Sequence, residues 1–270
     1  MKPEYNPATF LTRSELQESN SSVDSSETQA RISAQAYEPT SIAENKGSKL
    51  TLSQMDELVQ DFGKALYGKD YQKIEDHYRS VNEHGKLFDG GSKSWVYRCV
   101  GAAEGNLLPN GKHNGDSYKG HRDLNGQWNI GIFSNQRDKV KTTDEADQLQ
   151  LARLKQHDKA ISTLAKKYGI TLTTEERINA LDLANQAEDA VFKGWGYIER
   201  LSLAKKREGL TGQEAIAYAR KWSFFNPEAD DKRGAWESAV FGNDPKEIER
   251  DQRRRINQIS ETLKLLRKEK

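Results

Sequence analysis

Residues 94–133 carry the most informative pattern in the chain and read SWVYRCVGAAEGNLLPNGKHNGDSYKGHRDLNGQWNIGIF. The apolar residues before Glu104 predict a short helix, and Gly105 suits the left-handed position that often follows a helix end. Glycine, asparagine, aspartate and histidine then accumulate over residues 105–138, and WNIGIF at 128–133 predicts a short strand. The segment therefore predicts a helix whose last residue places a carboxylate beside a small region of loops and strands.

Long helices are predicted after this region. Thr142, Thr173 and Thr211 are each followed by a glutamate three positions later, which is the spacing of a capping box at a helix start. Apolar residues recur at helical spacing after these threonines and again over residues 256–266. The predicted fold class is therefore α+β, mainly helical, with a small strand-containing lobe.

Composition divides the chain into three parts. Hydrophobic residues make up 34% of the sequence and the mean hydropathy is −0.92, so part of the length is expected outside any core. Residues 1–50 are rich in serine and threonine and are predicted to form a disordered tail. Apolar spacing predicts helices over 51–68 and 70–81, which makes residues 51–90 a helical linker segment. The main domain is predicted at 91–266.

The charge and the cysteine content argue against several functions. The formal net charge is +1, from 42 basic and 41 acidic residues, so no global field favours nucleic acid or an anionic membrane. Cys99 is the single cysteine, which excludes a cysteine-based metal site. His113, Asp116 and His121 match no familiar zinc spacing. We expect no metal, no cofactor, no nucleic-acid partner and no membrane insertion.

Glu104 and Asp123 form a candidate pair for glycoside hydrolysis. This reaction needs an acid for the leaving oxygen and a second carboxylate for water or the developing cation. Glu104 lies at a predicted helix end in the apolar context VGAAEG, and both features oppose its ionisation. Asp123 lies in the hydrophilic turn KGHRDLNG, where it should stay charged. One protonated and one charged carboxylate is the combination that glycosidases use.

The region around this pair resembles the tailed-phage lysozyme family. The similar elements are Glu104-Gly105, Tyr118, Asp123, Gly126, Trp128, Ile130-Gly131 and the run from Thr142 to Ala146. The resemblance covers roughly residues 92–260 and is most specific over 104–160. It implies a bilobal lysozyme-like catalytic domain at 91–266. It also implies an inverting muramidase that cleaves between N-acetylmuramic acid and N-acetylglucosamine in bacterial peptidoglycan.

The resemblance implies roles for individual residues. Glu104 would protonate the leaving oxygen, and Asp123 would activate or orient a water molecule. Asn129 occupies the position of the family's water-positioning threonine. The residues predicted to bind substrate are Tyr118, Trp128 and Phe192.

A C-terminal arginine is also expected beside Glu104, because the family brings one to the acid. The run of Arg253, Arg254 and Arg255 offers three candidates that the sequence does not separate. Of the three, Arg253 is the predicted partner, expected to temper the charge of the acid.

Three departures from the family's pattern leave other functions open. An insertion around PNGKHNGD lengthens the interval from Glu104 to Asp123, Asn129 replaces a threonine, and Phe133-Ser134 replaces Gly-His. An asparagine amide can hold a water as a hydroxyl does, so hydrolysis remains the prediction. The alternatives are a chitosanase-like hydrolase and a non-catalytic lysozyme-fold protein that binds glycan or a partner in a structural or adaptor role.

The expected partner is the glycan strand of peptidoglycan. No secretory signal is recognisable at the start of the sequence, so synthesis in the cytoplasm is expected. Release by a phage holin, or delivery by a virion or an injection complex, would then bring the enzyme to the cell wall. The tail at 1–50 is a candidate for docking to such a particle or secretion complex.

Overall fold

The structure is a computed structural model that describes residues 61, 64–65, 68, 75, 81–122, 126–136, 139–229 and 235–269. These residues belong to the unit Met55–Lys270. Residues 81–84 are helical, and turns follow over 85–90. The tail predicted at 1–50 lies outside the described residues, as does most of the helical segment predicted before residue 81.

Helices make up most of the described chain after residue 90. They are α1 (Trp95–Glu104), α2 (Thr143–Lys167), α3 (Thr174–Gln186), α4 (Asp189–Phe192), α5 (Tyr197–Lys206), α6 (Gly212–Trp222) and α7 (Pro245–Leu266). Short 3-10 turns lie at Gly91–Lys93, Ser117–Lys119 and Ala239–Phe241. The predicted class, mainly helical with a small strand region, is confirmed at this level.

The strand region is a two-stranded antiparallel sheet. Strand β1 (His121–Arg122) pairs with β2 (Trp128–Asn129), so that His121 faces Asn129 and Arg122 faces Trp128. The strand predicted over 128–133 is shorter than expected. Gly131 has a φ of 83°, which turns the chain back so that Ile130 pairs with Asn135 instead of continuing the sheet.

The predicted helix starts are located correctly, but only one forms a complete capping box. Thr173 accepts a hydrogen bond from the backbone of Glu176, whose carboxylate accepts one from Thr173. The Thr142 hydroxyl also caps its helix, yet the paired carboxylate of Glu145 accepts from the backbone of Lys141. Thr211 makes no side-chain cap.

The hydrophobic core forms around α7, which packs against α1, α3 and α6. The apolar stripe predicted for this last helix is buried: Ile256, Ile259, Leu263 and Leu266. Burial of each such side chain contributes on the order of 1.5–3 kcal/mol. Cys99 is fully buried on α1, as expected for a small hydrophobic residue. Packing of α7 on α1 brings the C-terminal part of the chain to the end of the helix that carries Glu104.

Candidate active site

Glu104 is the last residue of α1. The helix ends there because Gly105 adopts a left-handed conformation with a φ of 83°. The residues Val96, Cys99 and Ala103 are buried on the same helix and fix it in the core. The side chain of Glu104 is 14% exposed, so its carboxyl group is largely enclosed but still accessible to solvent.

The guanidinium of Arg255 contacts this carboxylate. Its Nη2 donates to Oε1 of Glu104 and to Oδ1 of Asp182, the latter at 2.9 Å. Its Nε donates to Oδ2 of Asp182 at 2.9 Å. The packing of α7 on α1 therefore places a buried arginine against the acid, where the sequence predicted a C-terminal arginine.

The predicted partner Arg253 does not contact Glu104. Its guanidinium lies at the surface and donates to Glu214 at 3.0 Å. Arg254 donates instead to the backbone carbonyl of Ala103 at 3.0 Å. Successive residues of an α-helix point about 100° apart, so the three consecutive arginines meet different partners.

A second arginine completes a buried charge network below the acid. Arg220 on α6 donates to Oδ2 of Asp182 at 2.7 Å, and both side chains are fully buried. Desolvation raises the pKa of Asp182, but the charges of Arg255 and Arg220 outweigh it and hold the pKa below its ordinary value. Asp182 thus pairs with two guanidinium groups beneath α1. The remaining donors of Arg220 bond to Gln252 Oε1 (2.7 Å) and Asn179 O (2.8 Å).

Asn185 on α3 is the second donor to Glu104. Its Nδ2 donates to Oε1 of Glu104 at 2.8 Å and to the carbonyl of Phe133 at 3.1 Å. Its Oδ1 accepts from Nε2 of Gln150 at 2.7 Å. Within the described part of the chain, both donors to the acid meet Oε1, and Oε2 faces no donor.

Asp147 on α2 fixes the turn that follows β2. Its Oδ1 accepts from the backbone N–H of Ile132 at 2.7 Å, and its Oδ2 accepts from the hydroxyl of Tyr97 at 3.1 Å. A Cβ on Gly131 would lie 2.3 Å from Oδ1 of Asp147, so only glycine fits the turn. Burial raises the pKa of Asp147 to about 6, although these hydrogen bonds oppose the shift.

Asn106 ties the same turn to the end of α1. It lies two residues after Glu104 and is 3% exposed. Its Nδ2 donates to the carbonyl of Ile132 and to Oγ of Ser134, each at 3.0 Å. The turn after β2 and the acid are therefore held together from both sides, by Asn106 and by Asn185.

Asn129 lies on β2 and is 5% exposed. Its Nδ2 donates to the backbone carbonyl of Gln127 at 3.3 Å, which directs part of the amide to the strand's own backbone. Among the described residues, no other hydrogen bond is formed by this amide. The water-positioning role predicted for Asn129 stays a prediction.

Two of the predicted substrate-binding residues lie in the strand region. The ring of Tyr118 stacks on His113 with centroids 3.9 Å apart, so the inserted loop covers one of its faces. Trp128 is 49% exposed, and its ring lies over Gly120, where a Cβ would come within 2.2 Å. An exposed indole beside the paired strands is suited to stacking on a sugar ring.

The third, Phe192, lies on α4. It contacts His157 edge-on with centroids 5.1 Å apart and packs against the core. Part of its ring is therefore used by the protein's own packing, and its predicted contact with substrate stays a prediction.

The predicted second carboxylate, Asp123, lies outside the described residues. Strand β1 ends at the preceding residue, Arg122, and β2 begins at Trp128. The guanidinium of Arg122 donates to the carbonyl of Gly126 at 2.7 Å. The separation of the two carboxyl groups stays a prediction of the sequence.

The sequence did not single out Asp182, Arg220, Asn185 or Asp147. Three of them could have been found from their spacing. Each lies four positions after a buried apolar residue of the same helix. The pairs are Ile178 with Asp182, Leu181 with Asn185 and Ile216 with Arg220. Residues at this spacing share a helix face, so each polar side chain is directed to the core and must find a partner there.

Across the described ranges, no group of three or more histidine, cysteine, aspartate and glutamate side chains is arranged to hold a metal ion. No helix within those ranges is long and apolar enough to cross a membrane.

The site around Glu104 presents one enclosed carboxyl group, which contacts the guanidinium of Arg255 and the amide of Asn185. This group lies close to the turn that Asn106 and Asn185 hold. Such a group is suited to proton transfer with an uncharged substrate.

Comparison with known proteins identifies no relative of this chain. No protein-family model, no curated protein and no solved structure matches it. The assignment of a function therefore depends on the residues and the geometry described above.

Proposed function

We propose that the chain is a lysozyme-like glycoside hydrolase, specifically an inverting muramidase that acts on bacterial peptidoglycan. One observation carries the proposal: a largely enclosed glutamate ends α1 and contacts an arginine 151 positions later in the sequence. The sequence resemblance implies the same two features, an acid at a helix end and a C-terminal arginine beside it. Arg255 takes this role in place of Arg253.

In the proposed reaction, Glu104 donates a proton to the glycosidic oxygen as the C–O bond breaks. Asp123 removes a proton from the attacking water on the opposite face of the sugar. Asp182 and Arg220 keep Arg255 in place, and the ion pair with Asp182 prevents Arg255 from acting as an isolated buried cation. No cofactor takes part.

Trp128 and Tyr118 are proposed to contact the glycan strand. The exposed indole of Trp128 offers an apolar face to a sugar ring, while Tyr118 is stacked on His113 from the inserted loop. Because this loop is longer than in the lysozymes that the sequence resembles, it is proposed to limit which part of the glycan can bind.

Delivery to the cell wall forms part of the proposal. The tail at 1–50 is proposed to attach the enzyme to a phage-like particle or a secretion complex, since its composition offers little to a core. Removal of these residues is then expected to leave cleavage of isolated peptidoglycan unchanged.

The proposal is tested with purified peptidoglycan, by the fall in turbidity and by mass spectrometry of the released fragments. Glu104→Gln should lower the rate by about a thousandfold, because no other group supplies the proton. The matched control is Glu83→Gln. Glu83 is also a buried glutamate held by an arginine, with Arg267 donating at 2.9 and 3.0 Å, so loss of its charge tests stability alone.

Different outcomes separate the alternatives. Release of muropeptides by the wild type, abolished by Glu104→Gln and kept by Glu83→Gln, supports the muramidase. Cleavage of chitosan without cleavage of peptidoglycan would identify the chitosanase-like alternative. Binding of peptidoglycan with no fragment released would identify the non-catalytic protein, and both results would overturn the proposal.

A further inference from the structure

The hydrogen bonds around Glu104 have a fixed direction. An arginine can only donate, so Oε1 of Gln150 must accept the hydrogen bond from Nη1 of Arg153. Nε2 of Gln150 is then the atom that donates to Oδ1 of Asn185, at 2.7 Å. The amide of Asn185 must in turn present Nδ2 to Oε1 of Glu104, at 2.8 Å.

The opposite orientation of the Asn185 amide is unfavourable on both sides. It would place Oδ1 against Oε1 of Glu104 and the carbonyl of Phe133, which are both acceptors. It would also place Nδ2 against the donating Nε2 of Gln150. Three repulsive contacts would replace three hydrogen bonds, so the contacts themselves assign the nitrogen and the oxygen of this side chain.

Oε1 of Glu104 therefore accepts from two groups that cannot accept in return. Nη2 of Arg255 and Nδ2 of Asn185 are both donors, and a proton on Oε1 would face them directly. A proton on Oε2 meets no such conflict, because no described donor bonds to that oxygen. The two oxygens of the carboxyl group are thus inequivalent before any substrate binds.

We propose that Asn185 is a positioning residue that, with Arg255, restricts the transferable proton of Glu104 to Oε2. The inference rests on the proposed function, since it assigns the acid's proton in that reaction. The Oε2–H bond breaks as the proton moves to the glycosidic oxygen. The electron pair stays on the carboxylate, and the negative charge on Oε1 is met by the donors already in place.

The test uses the full-length protein with ¹³C-labelled glutamate carboxyl groups. NMR follows the signal of Glu104 as the pH changes. The signal is assigned because it disappears in Glu104→Gln. Asn185→Leu keeps the size of the side chain and removes the donor. The Glu104 titration midpoint should move to higher pH by about half a unit or more, because the lost hydrogen bond favoured the charged form. Asn185→Asp should move the midpoint further, because it adds a like charge.

The matched control is Asn226→Leu. Asn226 also donates an amide hydrogen to a glutamate, Oε1 of Glu237, at the same distance of 2.8 Å. This variant should leave the Glu104 midpoint unchanged. An unchanged midpoint in folded Asn185→Leu, or an equal shift in the control, would overturn the inference. If Asn185→Leu does not fold, Gln150→Leu releases the amide orientation and should give a smaller shift of the same sign.

Activity supplies a second readout. In Asn185→Leu, kcat on peptidoglycan should fall about tenfold with little change in KM, and the alkaline limb of the pH profile should move to higher pH. An unchanged kcat and an unchanged alkaline limb would count against the positioning role. A wild type that cleaves nothing would refute the proposed function, while the NMR titration would still decide the inference about Asn185.

Discussion

The guanidinium of Arg255 donates to both carboxylate oxygens of Asp182, at 2.9 Å each. Asp182 is fully buried and Arg255 is 5% exposed, so water contributes little to either charge. The same guanidinium also donates to Glu104. The cation that contacts the proposed acid is thus fixed to the core, and the position of the acid depends on an ion pair that also stabilises the fold.

Arg255→Met should destabilise the protein strongly. The change leaves Asp182 with one arginine in place of two, and loss of one partner of a buried ion pair costs about 3–5 kcal/mol. The measurement is the free energy of unfolding in urea. Arg253→Met is the matched control, because Arg253 lies on the same helix and pairs only at the surface, where such pairs contribute about 1 kcal/mol or less. Equal losses in the two variants would contradict the network's role.

Asp147 should make the stability fall as the pH rises through the mildly acidic range. Its pKa is about 6 in the folded protein and 3.8 as the ordinary value, so between these values the folded state binds more protons than the unfolded state. From pH 4 to pH 6 this group should lower the free energy of unfolding by about 2–3 kcal/mol. Asp147→Asn should lack this component. Urea unfolding of both proteins from pH 4 to pH 7 measures the difference, and parallel curves would contradict the assignment.

Gly131→Ala should disrupt the turn that Asp147 holds. Alanine would need a φ of 83°, and its Cβ would lie 2.3 Å from Oδ1 of Asp147. Strain and collision together should cost more than about 2 kcal/mol and reduce cleavage of peptidoglycan. Gly115→Ala is the control, since Gly115 has a φ of 74° with nothing within 4 Å of its Cβ, and should lose only about 1 kcal/mol. Thermal unfolding and the turbidity rate compare the two, and similar losses would exclude the collision.

The local part of the site could be predicted from the sequence. Gly105 marks the end of α1 because a left-handed residue is needed there, so the sequence alone predicts Glu104 at a helix end. The starts of α2 and α3 followed from Thr142 and Thr173 in the same way. These features depend on neighbouring residues alone.

The surroundings of the acid could not be predicted in the same way, because they depend on how helices pack. Which of three consecutive arginines meets Glu104 is set by the rotation of α7 against α1. The apolar stripe held a partial clue, since Arg255 lies four residues before buried Ile259, on the inward face. Strand β2 is also shorter than the sequence predicts, because Gly131 turns the chain after two paired residues.

The stereochemical course of the reaction provides the last prediction. An inverting enzyme must leave room for water between the sugar and the second carboxylate, and its two carboxyl groups lie about 6.5–9.5 Å apart. A retaining enzyme needs about 5–5.5 Å, because its carboxylate attacks the sugar directly. If Asp123 directs a water molecule, the first product from the β-linked glycan should carry the α configuration at its new reducing end.

Proton NMR in the first minutes of the reaction distinguishes the two anomers before they equilibrate. Asp123→Asn should abolish turnover without changing the product anomer of any residual activity. Asn129→Thr restores the residue type expected from the resemblance and should keep both the rate and the α product, since a hydroxyl can hold the same water. An initial β product would show that water does not attack first. The second carboxylate would then have to lie close enough to Glu104 to act as a nucleophile.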